Sequence, residues 1–155
     1  MQISAWHDIE APIDAVFDLL SEYERFERFA IQRGIEVCRA NRAAPESGDL
    51  TWDTVFTVRG RPRRAQVVLR RFEPPNLMRF EATGKGINGE TLIELRALSP
   101  RRTRMSVGLS LSANTFRARL LLQSLKLGRE RLRRRFQSGL ARLSGSIEET
   151  YAKWV

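Results

Sequence analysis

The last quarter of the sequence carries a regular apolar stripe that constrains the fold more than any other feature. Between Ala118 and Trp154 the stripe advances in ten steps over 36 residues. The average step of 3.6 residues is the period of one face of an α-helix. The stripe consists of Ala118, Leu121, Leu125, Gly128, Leu132, Phe136, Leu140, Leu143, Ile147, Tyr151 and Trp154. The sequence therefore predicts a long amphipathic C-terminal helix.

The expected helix needs a cap at its start and a bend along its length. Asn114 or Thr115 can cap it by accepting a hydrogen bond from a backbone N–H of the first turn. An unbroken helix of this length would measure roughly 60 Å, which is longer than a small domain can cover. We therefore expect a bend near Gly128, Gly139 or residues 144–146.

The first forty residues read as a strand, two short helices and a second strand. Apolar residues on one helical face follow Pro12, which suits the first turn of a helix. Aromatic residues at three-residue spacing then predict a second helix ending near Gly34. The predicted elements are residues 2–10, 13–20, 23–33 and 35–39, followed by a polar loop with Pro45 and Gly48.

From Leu50 onward the apolar period changes from 3.6 to 2, which is typical of half-buried strands. Short turns separate the alternating runs, so an antiparallel meander is predicted. One turn, Gly84–Gly89, matches the dinucleotide fingerprint G-x-G-x-x-G. That fingerprint requires a helix after the glycines, whereas Glu90–Leu98 alternates like a strand. We therefore interpret Gly84–Gly89 as a hairpin turn and reject nucleotide binding.

The charge of the chain is concentrated near its C-terminal end. Residues 1–100 carry 14 basic and 15 acidic side chains, whereas residues 101–155 carry 13 basic and 3 acidic ones. The densest cluster consists of Arg129, Arg131, Arg133, Arg134 and Arg135. Two interpretations stay open: a solvated helix face, or a docking surface for phosphate groups of lipid or RNA.

Few side chains are suited to metal or nucleophilic chemistry. The chain has one histidine, His7, and one cysteine, Cys38. We therefore expect no metal, no cofactor, no internal disulfide and no catalytic residues, and a cytoplasmic location. The N-terminus shows no signal peptide. His7 shares a strand face with Ile3 and Ile9, so it is either a core histidine or a polar group of a cavity.

Short motifs along nearly the whole chain resemble those of one family. They are Ile9-Glu10-Ala11-Pro12 with residues 16–21, Phe72-Glu73-Pro74-Pro75, Thr103-Arg104-Met105, and residues 139–143 with Ile147-Glu148. The pattern resembles the START-related polyketide cyclase/dehydrase and lipid transport superfamily (SRPBCC). Arg102 stands where that family usually has glycine, and Glu22 where it usually has aspartate.

The resemblance implies a single α+β domain over residues 1–155 with the helix-grip fold. In that fold a curved antiparallel sheet wraps the C-terminal helix, two short helices follow the first strand, and an apolar cavity lies between sheet and helix. Members bind lipids, quinones, polyketides or other hydrophobic molecules, and a minority catalyse cyclisation or aromatisation. The expected cavity residues are His7, Trp52, Thr54, Phe56, Val67, Leu69, Met78, Phe80, Thr91, Ile93, Met105, Leu125, Leu132 and Phe136.

The main functional hypothesis is binding, with possible transport, of a hydrophobic ligand by a monomer or homodimer. In this hypothesis the hydrogen bonds that orient the ligand come from Thr54 and Thr91, and also from His7 if its side chain reaches the cavity. One alternative is a cyclase-type enzyme, for which no catalytic set is transferable. The other is a surface binder that uses the arginine-rich helix on a ribosome or an anionic membrane, without sequence-specific DNA binding.

Overall fold

A computed structural model describes residues 1–40 and 50–155. The elements follow the predicted order of strand, two helices, strands and C-terminal helix. They are β1 (Gln2–Ile9), α1 (Ile13–Leu20), α2 (Tyr23–Gln32), β2 (Glu36–Arg39), β3 (Thr51–Val58), β4 (Arg61–Glu73), β5 (Leu77–Gly84), β6 (Ile87–Ser99), β7 (Arg102–Ala113), α3 (Phe116–Leu127) and α4 (Arg129–Trp154). The polar loop predicted around Pro45 and Gly48 lies outside the described residues.

The seven strands form one open antiparallel sheet in the order β1-β7-β6-β5-β4-β3-β2. Strands β2 to β7 are a meander, as the alternating runs predict, and β1 pairs with β7 at the far edge. Because neighbouring side chains in a strand point to opposite faces, the register fixes which residues share a face. We call the face that packs against the helices the inner face.

Two hairpin tips lie at the same end of the sheet. Arg59 and Gly60 connect β3 to β4 with positive φ angles of 54° and 76°. A two-residue type I′ hairpin turn requires positive φ at both of these positions. Lys85 and Gly86 connect β5 to β6, where Gly86 has a φ of 84°. A strand therefore follows the glycines, and the hairpin interpretation of Gly84–Gly89 is confirmed.

The C-terminal helical region is broken once, at Gly128, between α3 and α4. Thr115 caps α3, because its side-chain oxygen accepts a hydrogen bond of 3.2 Å from the backbone N–H of Ala118. Of the three expected bend positions, the break falls at Gly128, and α4 continues through Gly139 and residues 144–146. Gly128 is exposed, whereas Gly139 and Ser144 are buried, so packing supports the helix at the two positions where it continues.

Helix α4 runs along the edge strand β1 from one end of the sheet to the other. Near its start, Arg129 donates a hydrogen bond of 3.2 Å to the carbonyl of Gln2. Near its end, Glu148 accepts a hydrogen bond of 2.9 Å from the backbone N–H of Glu10. We call these two ends the α3 end and the α1 end of the sheet. The architecture is the predicted α+β helix-grip arrangement.

Candidate ligand-binding site

The eleven strand residues predicted to line a cavity all lie on the inner face. Trp52 is opposite Val67 in β4, and Leu69, Phe80 and Thr91 are successive partners across β4, β5 and β6. The same alternation and pairing place the remaining residues on this face: His7, Thr54, Phe56, Met78, Ile93 and Met105. Period-two alternation therefore places all eleven residues on one face of the sheet.

Much of the inner face is filled by packing, mainly toward the α1 end. Five of the predicted residues are buried in one continuous core with α1, α2 and the C-terminal half of α4: Trp52, Leu69, Met78, Ile93 and Met105. Trp52 makes an edge contact with Tyr23 of α2 and a tilted contact with Phe80, at ring-centroid distances of 5.5 and 5.9 Å. These side chains contact other side chains, which leaves little apolar surface for a ligand here.

The inner face is more loosely covered toward the α3 end. Phe56, Leu125 and Leu132 are half-buried and do not belong to the packed core. Val67, Phe80 and Phe136 are also half-buried, and they pack against the border of that core. These predicted residues thus retain accessible apolar surface that the packed core does not cover.

Helix α3 lies across this loosely covered end and contacts both hairpin tips. Arg59 donates a hydrogen bond of 3.2 Å to the carbonyl of Ser124 in α3. The backbone N–H of Asn114 donates one of 2.8 Å to the carbonyl of Gly86. A Cβ on Gly86 would lie only 2.6 Å from Oγ1 of Thr115, so glycine permits this close approach. Helix α3 therefore covers the α3 end of the inner face.

The predicted polar groups differ in their availability. The hydroxyl of Thr54 is buried and donates a hydrogen bond of 2.8 Å to the carbonyl of Ala65. Thr91 is half-buried and makes no side-chain hydrogen bond to another described residue. Thr91 is therefore the better placed of the two to donate a hydrogen bond to a ligand.

His7 lies apart from these groups. His7 is opposite Met105 in β7. Met105 is six residues before Leu111, which lies near the α3 end of β7, so His7 is about 20 Å from that end along the strand. Its Nδ1 lies 2.9 Å from the carbonyl oxygen of Asp8. The structure therefore does not bring His7 together with Phe56 and the helix wall.

Sequence reasoning missed one cation on the inner face, Arg63. It is opposite Phe56 in the β3–β4 pair and alternates with Ala65 and Val67. Its Nε is buried and has no hydrogen-bond partner among the described residues. A guanidinium N–H in an apolar setting favours an anionic oxygen acceptor. The alternation of β4 could have predicted the inward position of Arg63, because it places this charged residue on an otherwise apolar face.

Gly128 on the C-terminal stripe and Gly139 next to it do not leave empty space along the inner face. Gly128 is exposed, and a Cβ there would contact only the carbonyl of Leu125, at 3.9 Å. Gly139 is buried, but the guanidinium of Arg33 lies 3.4 Å from the position of its Cβ. Arg33 also stacks on Phe29 at 4.5 Å. Neither glycine therefore marks an empty space for a ligand.

The five arginines predicted to bind anionic surfaces are all exposed. At 100° per residue they are distributed over about 240° of the circumference of α4. Arg129 contacts the edge of β1 through Gln2, and Arg133 forms a 3.1 Å ion pair with Glu130. The cluster therefore does not present one common face.

Three surface grooves, of about 770, 430 and 420 Å³, lie against the outer face of the sheet. Of the fourteen predicted cavity residues, only Thr54 borders any of them. The sheet itself therefore separates these grooves from most of the predicted cavity residues. None of the helices in the described residues combines the length and apolar character needed to cross a membrane.

Comparison with solved structures gives matches over nearly the full chain. A protein from Thermus thermophilus has a TM-score of 0.74 at 18% identity, covering 97% of this chain and 99% of that one. An aromatase/cyclase named Zhui, from Streptomyces sp. R1128, has a TM-score of 0.69 at 12% identity, with coverages of 96% and 93%. A START superfamily protein from Mycobacterium smegmatis has a TM-score of 0.66 at 16% identity, with coverages of 96% and 98%.

These likenesses confirm the fold that the sequence motifs predicted. The protein has the fold of START superfamily proteins and of the aromatase/cyclase, the helix-grip fold. Neither the family models nor the curated proteins include a match to this chain.

Proposed function

We propose that the protein binds a hydrophobic small molecule between the α3 end of the inner face and the two C-terminal helices. One observation carries this proposal: most inner-face side chains toward the α1 end are buried, whereas most of those toward the α3 end, except Trp52 and Thr54, are half-buried. Phe56, Leu125 and Leu132 retain apolar surface that a ligand would remove from water. Burying apolar surface contributes about 25 cal/mol per Å², so such a ligand would gain affinity from this region.

The proposed site has a floor and two walls. Its floor is the border of the packed core, formed by Val67, Phe80 and Phe136. Its walls are the sheet residues Phe56 and Thr91 and the helix residues Leu125 and Leu132. The buried residues Trp52, Leu69, Met78, Ile93 and Met105 support this floor from behind. His7 has no direct role in the proposal.

The ligand we propose carries an acidic group, a carboxylate or a phosphate, at one end. Arg63 would hold that group, because its buried Nε lacks a partner among the described residues and guanidinium binds such anions by paired hydrogen bonds. The half-buried hydroxyl of Thr91 lies about 20 Å from Arg63 along the strands, because Thr91 is level with Leu69, six residues after Arg63. It would therefore donate a hydrogen bond to a different part of the ligand. Ligands of this chemistry include fatty acids and acidic polyketides.

Entry of the ligand requires α3 to move. It is joined to α4 at the exposed break at Gly128, and it contacts the β3–β4 tip through the exposed hydrogen bond from Arg59 to Ser124. A change in the backbone of a few residues at such a junction is sufficient for hinge motion. We propose that α3 opens about Gly128.

The test is a titration with cis-parinaric acid, a fluorescent fatty acid, in detergent-free buffer. We expect saturable binding by wild type and a loss of about tenfold or more in affinity for Leu125→Gln/Leu132→Gln, which places two polar groups in an apolar wall. The matched control is Leu120→Gln/Leu127→Gln, which makes the same change on the exposed side of α3. Equal binding by both double variants, or none by wild type, would refute the proposed site.

The acidic group is tested separately with Arg63→Met. This variant should bind cis-parinaric acid more weakly than wild type does, while both proteins should bind its methyl ester with similar affinity.

We further propose a cytoplasmic location, since the single Cys38 allows no internal disulfide, and a monomer or homodimer. A cyclase activity is the alternative hypothesis, and the fold shared with an aromatase/cyclase at 12% identity is its only support.

A further inference from the structure

Helix α3 has apolar side chains on two opposite sides. One side packs onto the sheet through Ala118 and Leu122, which are buried. On the opposite side Phe116 is 73%, Leu120 is 51% and Leu127 is 92% exposed. At 100° per residue these three exposed side chains fall within an arc of about 40°. They form a narrow apolar stripe that contacts water.

Cations border this exposed stripe on both sides. Arg117 lies on one flank, and Arg119 and Lys126 lie on the other, all of them exposed. None of the three is in an ion pair with another described residue. The chain contains no acidic residue between Glu94 and Glu130. The surface of α3 therefore combines apolar side chains with uncompensated positive charge.

We propose that the exposed face of α3 is a docking surface for an anionic lipid bilayer. Phe116, Leu120 and Leu127 would enter the boundary between headgroups and acyl chains, as the apolar face of an interfacial helix does. Arg117, Arg119 and Lys126 would extend to the lipid phosphates while their aliphatic stems cover the border of the stripe.

The apolar stripe distinguishes a bilayer from the other polyanion that fits this charge, RNA. Phosphates of RNA would engage the three cations, but they offer no apolar phase for Leu120 and Leu127. Burial in a bilayer removes both leucines from water. The combination of stripe and flanking cations therefore matches a lipid surface. This docking surface differs from the arginine cluster of α4, whose members point in several directions.

The inference does not depend on ligand binding, although the two are spatially related. The side of α3 that bears Leu125 closes the proposed ligand site, and the opposite side bears the docking stripe. A bilayer that holds α3 would act on the same helix that must move for ligand entry.

Vesicle cosedimentation tests the inference with the full chain. Wild type should bind vesicles of phosphatidylcholine with one third phosphatidylglycerol at low salt, and should bind pure phosphatidylcholine vesicles much more weakly. Phe116→Gln/Leu120→Gln/Leu127→Gln should reduce binding by about 100-fold or more, because each apolar side chain contributes at least several-fold when buried. The control Ile31→Gln/Leu98→Gln, at exposed apolar sites elsewhere, should bind like wild type.

The charge contribution is tested by Arg117→Gln/Arg119→Gln/Lys126→Gln. Binding should fall by about 100-fold, or about fivefold for each cation near an anionic surface. Arg28→Gln/Arg96→Gln/Arg101→Gln removes the same charge from other positions and should have a much smaller effect. Circular dichroism checks that every variant is folded.

Three results would overturn the inference. The first is no binding of wild type to the anionic vesicles at low salt. The second is equal loss in the docking variants and in their matched controls. The third combines two observations: tight binding to polyuridylic acid that is weakened only by the substitutions of Arg117, Arg119 and Lys126, and vesicle binding that the substitutions of Phe116, Leu120 and Leu127 leave unchanged. This pattern would indicate that the surface binds RNA.

Discussion

The carboxylate of Glu27 in α2 accepts a hydrogen bond of 3.1 Å from the indole N–H of Trp52 in β3. The same carboxylate accepts two hydrogen bonds from Arg39 in β2, of 2.7 and 3.2 Å. One acidic side chain therefore satisfies the only polar group of a buried tryptophan side chain and pairs with a neighbouring cation. Through this contact α2 is fixed over the last two strands of the sheet.

Removal of this carboxylate should destabilise the fold. Glu27→Ala leaves the indole N–H and the guanidinium of Arg39 without their acceptor, which should cost about 2 to 3 kcal/mol of unfolding free energy. The matched variant is Glu24→Ala, whose side chain is 67% exposed and lies 3.6 Å from the same arginine. It should cost less than about 1 kcal/mol. Urea unfolding measures both, and equal costs would contradict this role of Glu27.

Two buried hydroxyls should respond to removal in opposite ways. Thr103 is fully buried and donates a hydrogen bond of 2.8 Å to the carbonyl of Ala11, so Thr103→Val should cost about 1 to 3 kcal/mol. The hydroxyl of Ser144 is also buried but has no partner among the described residues. Ser144→Ala should therefore be neutral or stabilising. Thermal unfolding compares them, and a larger loss for Ser144→Ala would be inconsistent with these contacts.

The pair of Asp8 and Arg104 should make stability depend on acidic pH. Arg104 donates hydrogen bonds of 2.8 and 3.2 Å to Asp8, and these bonds hold the pKa of Asp8 below its ordinary value against the opposing effect of burial. The pair thus contributes stability above pH about 4, and this is lost as the pH falls through the lowered pKa of the folded state.

The measurement for this pair is the melting temperature of wild type and Asp8→Asn between neutral and acidic pH. Wild type should be the more stable protein at neutral pH, and the difference should shrink below pH about 4. Arg104→Met should reproduce the weaker pH dependence of Asp8→Asn. A difference between wild type and Asp8→Asn that is constant across this pH range would contradict the assignment.

The two halves of α4 should differ in their contribution to stability. Ile147 is fully buried in the packed core, so Ile147→Ala should cost about 2 to 5 kcal/mol. Leu132 is half-buried and lies outside that core, so Leu132→Ala should cost less than about 2 kcal/mol. Urea unfolding of both variants is the test. A cost for Leu132→Ala as large as that for Ile147→Ala would mean that the α3 end is packed like the rest.

Much of the fold could be predicted because local patterns determine it. The change of period from 3.6 to 2 at Leu50 predicted the meander, and the missing side chain at Gly128 predicted one place where the long helix could break. Alternation also placed Trp52, Thr91 and the other predicted strand residues together on one face of the sheet. Each of these features depends on residues that are close in sequence.

The extent of packing at the candidate site could not be read from those patterns. It depends on how α2 docks over β2 and β3, through contacts such as Glu27 with Trp52, between residues 25 positions apart. The remoteness of His7 from the α3 end follows from its pairing with Met105, almost one hundred residues away. Arg63 was missed because the positions predicted to face inward in its strand began at Val67, although the same alternation places Arg63 inward as well.

Native mass spectrometry of the protein purified without detergent tests the central claim most directly. The account predicts a population with one retained apolar molecule that bears an acidic group, and a clear reduction of that population in Leu125→Gln/Leu132→Gln but not in Leu120→Gln/Leu127→Gln. The bare protein mass alone, with no adduct after incubation with a mixture of fatty acids, would contradict the claim that the inner face at the α3 end is a ligand site.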